Sequence, residues 1–360
     1  MKPTMKVIQV MPNFALAGAE IMCENLVYGL KQQGVDVVVV SFFDYHSAIT
    51  ERLEKAGVKI IYLNKKLGID VSIIAKLRKI FKQEKPDIIH THRYATEYAL
   101  PAAILAGVKK RVHTVHNVAQ KENGRLGRML NRGFFKCNHV VPVALSSIVQ
   151  ESITKEYKLK KENIPVIFNG IDLSKCQPKE NYKLKDDGVT ILHIGRFMEQ
   201  KNHQGLIEAF SIFHQAYPNS KLQLIGDGEK RKEIQTMVEE KGLSDVVSFL
   251  GLQDNVYAYL HDADIFTLPS LYEGIPMTLI EAMGTGLPIV ATNVGGIPDM
   301  LTNGKSAILT EVNSQLIADA FLELAADEEK RKTLGEQAKQ QSVKFSAEIM
   351  AEEYLKIYSE

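Results

Sequence analysis

Short apolar runs separated by longer amphipathic stretches constrain this chain more than any other feature. The first series lies at residues 7–10, 35–42, 58–63, 87–90, 112–115 and 139–143. Several of these runs are apolar on both faces, as buried parallel strands are. Gly34 and Gly57 stand just before two of them, where a helix C-cap glycine precedes a strand. Such a βαβα order specifies an α/β domain with a parallel sheet. A polar stretch at 174–188, holding Pro178, interrupts the pattern. The pattern restarts at 189–194 and continues at 221–225, 246–250, 265–268 and 287–291, ahead of helical segments from Ser314 onward. With 360 residues and roughly 150 per domain, the chain is expected to form two doubly wound α/β domains in tandem. The boundaries expected are 1–178 and 179–345, with a helix at 346–360 returning to the first domain. Doubly wound sheets bind ligands at the carboxyl ends of their strands, so a binding cleft is expected between the domains.

Charge divides along the same boundary. The net charge is only +1, but residues 1–178 carry 27 basic against 15 acidic side chains, and the remainder 17 against 28. A basic half invites a nucleic-acid-binding reading. Its basic residues are scattered among helices without aromatic interleaving and the other half is acidic, so no nucleic-acid partner is expected. Three cysteines, Cys23, Cys137 and Cys176, have no CxxC spacing and are odd in number. They point away from a disulfide framework or the usual zinc pattern and towards a reducing cytoplasm. The first residues lead into a strand pattern rather than a signal core, and no apolar run reaches the roughly 18 residues of a membrane span. A cytoplasmic protein that at most lies on a membrane is expected.

Chemistry is written most densely in P-S-L-Y-E-G-I-P-M-T-L-I-E-A-M, residues 269–283, which follows a strand. Gly274 permits a tight turn and Pro276 suits the first helical position. A helix beginning there offers the amides of Met277, Thr278 and Leu279 to an anion, as a phosphate cradle. Glu281 lies five residues beyond Pro276, about 7.5 Å along a helix axis, which matches the reach from a diphosphate to the ribose of a nucleotide. Glu273 stays in the loop on the other side. Glu281 also interrupts an apolar stretch, where a charge without a partner is costly.

The E-x7-E spacing of Glu273 and Glu281 in this segment resembles the donor-site motif of glycosyltransferase family 4, and the resemblance extends over nearly the whole chain. It implies the GT-B fold: two Rossmann-like, doubly wound parallel-sheet domains facing across a cleft, the first for the acceptor and the second for a nucleotide-sugar donor. It implies that Glu273 contacts the transferred sugar and Glu281 the ribose. Gly195, Arg196 and Lys201 are similar to the family's G-R-x4-K pattern, and two such cations would stabilise the charge that builds on a leaving nucleoside diphosphate. Gly226, in G-D-G-E, looks like the family's G-x-G turn, where small residues leave room for the nucleotide. Gly18, in L-A-G-A-E, lets backbone approach a phosphate. Relatives usually read G-G-A-E, and Ala17 departs from that pattern.

Four histidines, His90, His92, His113 and His116, stand near the ends of two strands. The T-V-H-N around His116 resembles the family's T-x-H segment, whose histidine contacts the donor sugar near the reacting carbon. His92 is expected on the acceptor side and His113 in the core. No acidic ligand completes a metal set, and the D-x-D of Asp262 and Asp264 opens a strand, so neither metal nor cofactor is expected. A nicotinamide dehydrogenase would need a G-x-G-x-x-G after the first strand, which is absent. The resemblance implies a retaining transfer of a sugar, from a UDP-sugar, to a hydroxyl of a lipid-linked or soluble glycan acceptor in polysaccharide or glycolipid assembly. Glu273, His116, Arg196 and Lys201 would form the catalytic group. A GT-B sugar-nucleotide epimerase is the enzymatic alternative. Residues 123–136 read as an amphipathic helix, with Arg125, Arg128, Arg132 and Lys136 along one side and Leu126, Met129, Leu130 and Phe134 largely on the other. With Lys109, Lys110 and Arg111 it could rest on an anionic membrane surface.

Overall fold

The computed structural model describes residues 5–15, 18–122, 124–137, 140–184 and 188–360. The motif positions Leu16 and Ala17, Asn123 at the head of the expected amphipathic helix, and His139 at the start of an expected strand lie outside them. Contacts divide the chain into two units, Met1–Ile171 with Ser346–Glu360, and Asp172–Phe345.

The first unit holds a wholly parallel sheet of β1 (Lys6–Met11), β2 (Asp36–Ser41), β3 (Lys59–Tyr62), β4 (Ile88–His92), β5 (Lys110–Val115) and β6 (Val141–Ala144). Their order is β3-β2-β1-β4-β5-β6. In β2, Val37 and Val39 enter one core cluster while Val38 and Val40 enter another, so both faces of the strand are covered by helices. That explains an unbroken valine run where a half-exposed strand would alternate. The second unit repeats the winding with β7 (Val189–Ile194), β8 (Ser220–Ile225), β9 (Val247–Gly251), β10 (Ile265–Leu268), β11 (Ile289–Thr292) and β12 (Ile308–Thr310), ordered β12-β11-β10-β7-β8-β9. In each sheet the winding reverses at one point, between β1 and β4 and between β7 and β10. Ligand crevices open at such switch points.

Three differences from the sequence reading matter. The units divide after Ile171, not at 178, because the polar stretch that resembles a linker fastens to the second unit. Lys179 Nζ donates to the Ala263 carbonyl at 2.7 Å, the Tyr182 hydroxyl to Gly286 at 2.9 Å, and Arg331 Nε to the Tyr182 carbonyl at 2.9 Å. Strand β4 runs on to His92 instead of ending at His90. The three-residue β12 adds a strand between the last one expected, at 287–291, and the helical segments from Ser314.

The helix Ala347–Ser359 packs in the first unit. The Ala347 N–H donates to the Ile171 carbonyl at 2.8 Å, and Met350, Ala351, Tyr354 and Tyr358 are buried in its core. It lies so close to the helix Gly18–Gln32 that a Cβ on Gly29 would stand 2.5 Å from the Ala347 carbonyl oxygen. Among the described residues no helix is long and apolar enough to cross a membrane. The helix Arg125–Lys136 buries Gly127, Asn131 and Phe135. Leu126 and Met129 are 57% and 63% exposed, among the exposed Arg125, Arg132 and Lys136. Arg128 leaves that row and pairs with Glu156 at 3.2 Å.

Candidate active site

At the second unit's switch point, β7 releases Gly195 and Arg196, and β10 releases Pro269 and Ser270. The chain after β7 makes one 3-10 turn, Glu199–Lys201, which carries Lys201 Nζ to 2.6 Å from Glu273 Oε1. Ser270 Oγ donates to the same oxygen at 2.6 Å. The pair is largely withdrawn from solvent, with side chains 15% and 5% exposed. Desolvated charges hold together only with close geometry and further hydrogen bonds, and both are present here. Gln200 Nε2 donates to the Tyr272 carbonyl at 2.9 Å and reaches Glu273 Oε2 at 3.4 Å. Asn202, in the left-handed region at φ 51°, accepts the Gly205 N–H at 3.2 Å and donates to the Pro269 carbonyl at 3.0 Å. The two loops are thereby braced to each other. Arg196 is exposed, and among the described residues its guanidinium meets no partner.

Two glycines are dictated by this crowding. Gly226 has φ 136°, and a Cβ there would overlap the Gly195 carbonyl. The G-x-G turn is therefore required by backbone packing between the loops after β7 and β8. Gly295, at φ 60°, would likewise drive a Cβ into the Glu273 carbonyl, and the Gly296 N–H donates to that same oxygen at 3.1 Å. This V-G-G turn after β11 supports Glu273 from behind. Sequence reasoning passed over it, although paired glycines at the carboxyl end of a strand were the signal.

The helix Met277–Thr285 begins one residue later than expected, with Pro276 at its N-cap and no side chain capping it. The Leu279 N–H already turns back to the Pro276 carbonyl at 3.1 Å, so the expected third amide donor is engaged and Met277 and Thr278 head the turn. Partial positive charge gathers there. No neighbour stands within 4 Å of a Cβ placed on Gly274. Glu281 is partly exposed and has the partner its apolar surroundings demand. Burial pushes its carboxyl up to about 7, against a hydrogen bond from Tyr257 and the nearby Lys175 ammonium. Asp264 is buried at the head of β10 and accepts the Thr190 N–H at 2.9 Å. Among the described residues no cluster of three His, Cys, Asp or Glu side chains could hold a metal ion.

The first unit's switch point is built differently. Gln9 on β1 and His90 and His92 on β4 share one face, because residues two apart in a strand point the same way. The extra length of β4 sets His92 beside Thr114 in the register of β5, and His116 lies just past that strand. His92 Nδ1 is 3.0 Å from His116 Nε2, and His92 Nε2 is 2.8 Å from Gln9 Oε1. Fully buried and engaged at both nitrogens, His92 does not present itself to an acceptor as expected; it backs His116. His113, on the opposite face, is buried 2.9 Å from Thr91 Oγ1 and stacks on Phe135. His116 is the one ring of these four that is partly exposed, and burial pushes its pKa down to about 3, so it is neutral.

Around His116, its backbone N–H donates to Glu122 at 3.2 Å, and burial pushes that carboxyl up to about 7. Arg93, next after His92, stands at φ 52° and pairs at 2.6 Å with the fully buried Glu20. A non-glycine residue in this region costs about 1–3 kcal/mol, and such strain gathers at functional sites. Glu20 lies in the first turn of the helix that Gly18 opens, and the space over Gly18 is clear. Gln9, Arg93 and Glu122 had no signal in the sequence, whereas Glu20 is the last residue of the L-A-G-A-E segment.

Residues 16–175 match a family model described as Glycosyltransferase Family 4, and residues 177–341 one described as Glycosyl transferases group 1. The chain is 30% identical over 308 residues to the N-acetyl-alpha-D-glucosaminyl L-malate synthase of Bacillus anthracis, covering 80% of this chain and 78% of that one. It is 32% identical over 270 residues to the UDP-Gal:alpha-D-GlcNAc-diphosphoundecaprenol alpha-1,3-galactosyltransferase of Escherichia coli, covering 70% and 69%. Among solved structures, Anabaena HepE in complex with UDP aligns with a TM-score of 0.84 at 20% identity over 99% of this chain and 100% of that one. Two Rossmann-like units of one winding, with relatives that match along most of their length, mean that the chain belongs to glycosyltransferase family 4, a glycosyltransferase of the GT-B fold.

Proposed function

We propose that the enzyme moves a hexose from a UDP-sugar to a hydroxyl of an anionic acceptor, with retention of anomeric configuration. The observation that carries this reading is the preformed cluster of Lys201, Ser270 and Glu273, four residues ahead of the uncapped turn at Met277 and Thr278. A diphosphate leaving group gains charge as its bond to the sugar breaks, so fixed positive groups favour the transition state over the ground state. Lys201 has three N–H donors and can take a phosphate oxygen while keeping Glu273. The exposed Arg196 and the leading helix amides supply the rest, so the transfer needs no metal, and a chelator should leave turnover unchanged. Glu273 accepts hydroxyls of the transferred sugar, Glu281 those of the ribose, and His116 contacts the sugar. The acceptor oxygen bonds to the anomeric carbon from the face the diphosphate leaves, and the acceptor's proton passes to the departing phosphate oxygen.

The Escherichia coli relative's name states a UDP-Gal donor and an alpha-1,3 product, and HepE was solved with UDP; both support the donor class. The acceptors in the relatives' names, L-malate and a diphosphate-linked lipid, are both anionic, which suits the basic first half of this chain. We assign the exposed mixed face of the helix Arg125–Lys136 to an anionic membrane bearing a lipid-linked acceptor, in polysaccharide or glycolipid assembly. Each basic residue near such a surface contributes on the order of 1 kcal/mol. Release of nucleoside diphosphate from a panel of nucleotide sugars, with and without lipid extract, tests the donor and acceptor. Proton NMR of the earliest product tests retention, and an inverted linkage overturns it. Sedimentation with anionic vesicles at low salt tests the membrane face, and absence of binding there leaves the soluble acceptor.

A further inference from the structure

The contacts of His92 continue deep into the first unit. Gln9 Nε2 donates to the Tyr358 hydroxyl at 3.4 Å, and that hydroxyl lies 2.7 Å from His90 Nδ1. His90 Nε2 is 2.7 Å from Thr114 Oγ1, which lies 2.7 Å from the Tyr354 hydroxyl. An unbroken file of hydrogen bonds thus runs from the helix Ala347–Ser359, through β5, β4 and β1, to the partly exposed His116. His90, His92, Thr114 and Gln9 are all fully buried.

A file of this kind has a direction, because each buried group must give where its neighbour takes. Burial holds His90, His92 and His116 neutral, so each ring carries one N–H. Gln9 Oε1 can only accept, so His92 carries its proton on Nε2. His92 Nδ1 is then bare and must receive the N–H of His116 Nε2. What remains to His116 is an unprotonated Nδ1. At the other end, the Tyr358 oxygen receives Gln9 and its hydroxyl donates to His90 Nδ1, which leaves His90 Nε2–H for Thr114. If the Gln9 amide turned over, every proton from Gln9 to His116 would move to the opposite side. The Tyr358 hydroxyl can give or take, so the direction of the file is that of the Gln9 amide, which stands with Nε2 towards Tyr358 and Oε1 towards His92.

We propose that Gln9 and Tyr358 are positioning residues that lock His116 in its Nε2-protonated tautomer, so that the ring offers a bare Nδ1 as acceptor to a hydroxyl of the transferred sugar. The proposal rests on the reading of His116 as a donor-sugar contact. It gives the H-T-H pair of β4 and the two tyrosines of the helix Ala347–Ser359 a shared task that burial alone would not require. A merely structural role would leave the His116 tautomer unmoved by Tyr358→Phe.

The test uses the 15N-labelled full chain, with long-range proton–nitrogen spectra of the histidine rings assigned through His116→Gln. Wild type should show His116 protonated at Nε2 only. Gln9→Leu and Tyr358→Phe should convert that signal to a mixture of tautomers. They should also lower kcat about five- to tenfold, the effect of one buried hydrogen bond, with UDP affinity unchanged. Tyr358→Phe removes a single oxygen and carries the test alone if Gln9→Leu does not fold. His116 protonated at Nδ1 in wild type, or a tautomer and kcat indifferent to Tyr358→Phe, overturns the proposal. His116→Ala separates it from the reading it rests on: unimpaired transfer would remove His116 from the reaction, while the ring spectrum would still decide the file.

Discussion

The two sheets share one winding, yet their switch points hold opposite kinds of polarity. Between β7 and β10 stands an ion pair, Lys201 with Glu273, braced by Ser270 and Gln200. Between β1 and β4 stands a neutral file, with His92 between Gln9 and His116. Charges act over distance and suit a diphosphate whose charge changes during reaction. Neutral hydrogen bonds act only at contact and suit the orienting of a hydroxyl. One backbone plan thus supplies two tools, and the choice between them lies in side chains at the carboxyl ends of two strands in each sheet.

The sharpest way to break this contrast is Lys201→Met, which leaves Glu273 withdrawn from water without its cation. Turnover should fall by about 10²–10³-fold, as when a fixed electrostatic donor is lost, and the thermal midpoint should fall too, because an orphaned buried charge is costly. Lys201→Met with Glu273→Gln should regain the midpoint but not the turnover. Parallel recovery of both in nucleoside-diphosphate release would mean that the pair is structural only.

Glu281→Gln comes next in size. Loss of a charged hydrogen bond costs roughly 1.5–3 kcal/mol, so UDP should bind at least about tenfold more weakly by calorimetry at pH 8. Because the folded carboxyl titrates near 7, the gap between wild type and variant should close as the pH falls below that value. The raised pKa has a second sign. The folded state holds the proton that the unfolded state releases from its ordinary 4.5 upward, so wild type loses stability as pH rises from there through about 7. Glu281→Gln should therefore melt above wild type at pH 8 and level with it at about pH 4.

Smallest is Gly29→Ala in the first unit, where the new Cβ meets the helix Ala347–Ser359. Overpacking of this kind costs about 1–3 kcal/mol and should lower the midpoint by a few degrees, with UDP affinity intact. A loss of UDP affinity would mean that the two units do not divide their tasks as described.

The winding was legible because runs such as the valines of β2 are apolar on both faces, and only parallel sheets covered by helices require that. The cluster of Lys201, Ser270 and Glu273 was legible because its residues sit close together in sequence, at 195–201 and 269–283. The file in the first unit was not, because Gln9 and Tyr358 meet across almost the whole chain, and local pattern carries no information about such a pairing. His92 was misread for a local reason: with β4 ended at His90, its ring has no register that would bury it. The segment after Ile171 was misread because Lys179 and Tyr182 have linker composition and structural partners.

The helix Ala347–Ser359 also orders events during synthesis. A ribosome emits residues 5–171 first, and then all of the second unit, before the segment that completes the first unit's core appears. At about 5–20 residues per second, that interval lasts on the order of ten seconds or more. Throughout it, the bed for Met350, Tyr354 and Tyr358 along Leu26, Val27 and Leu30 stays uncovered, and the histidines of β4 lack their tyrosines. The later-made unit can thus finish folding before the earlier one, and the nascent chain carries an apolar trough that holding chaperones would recognise.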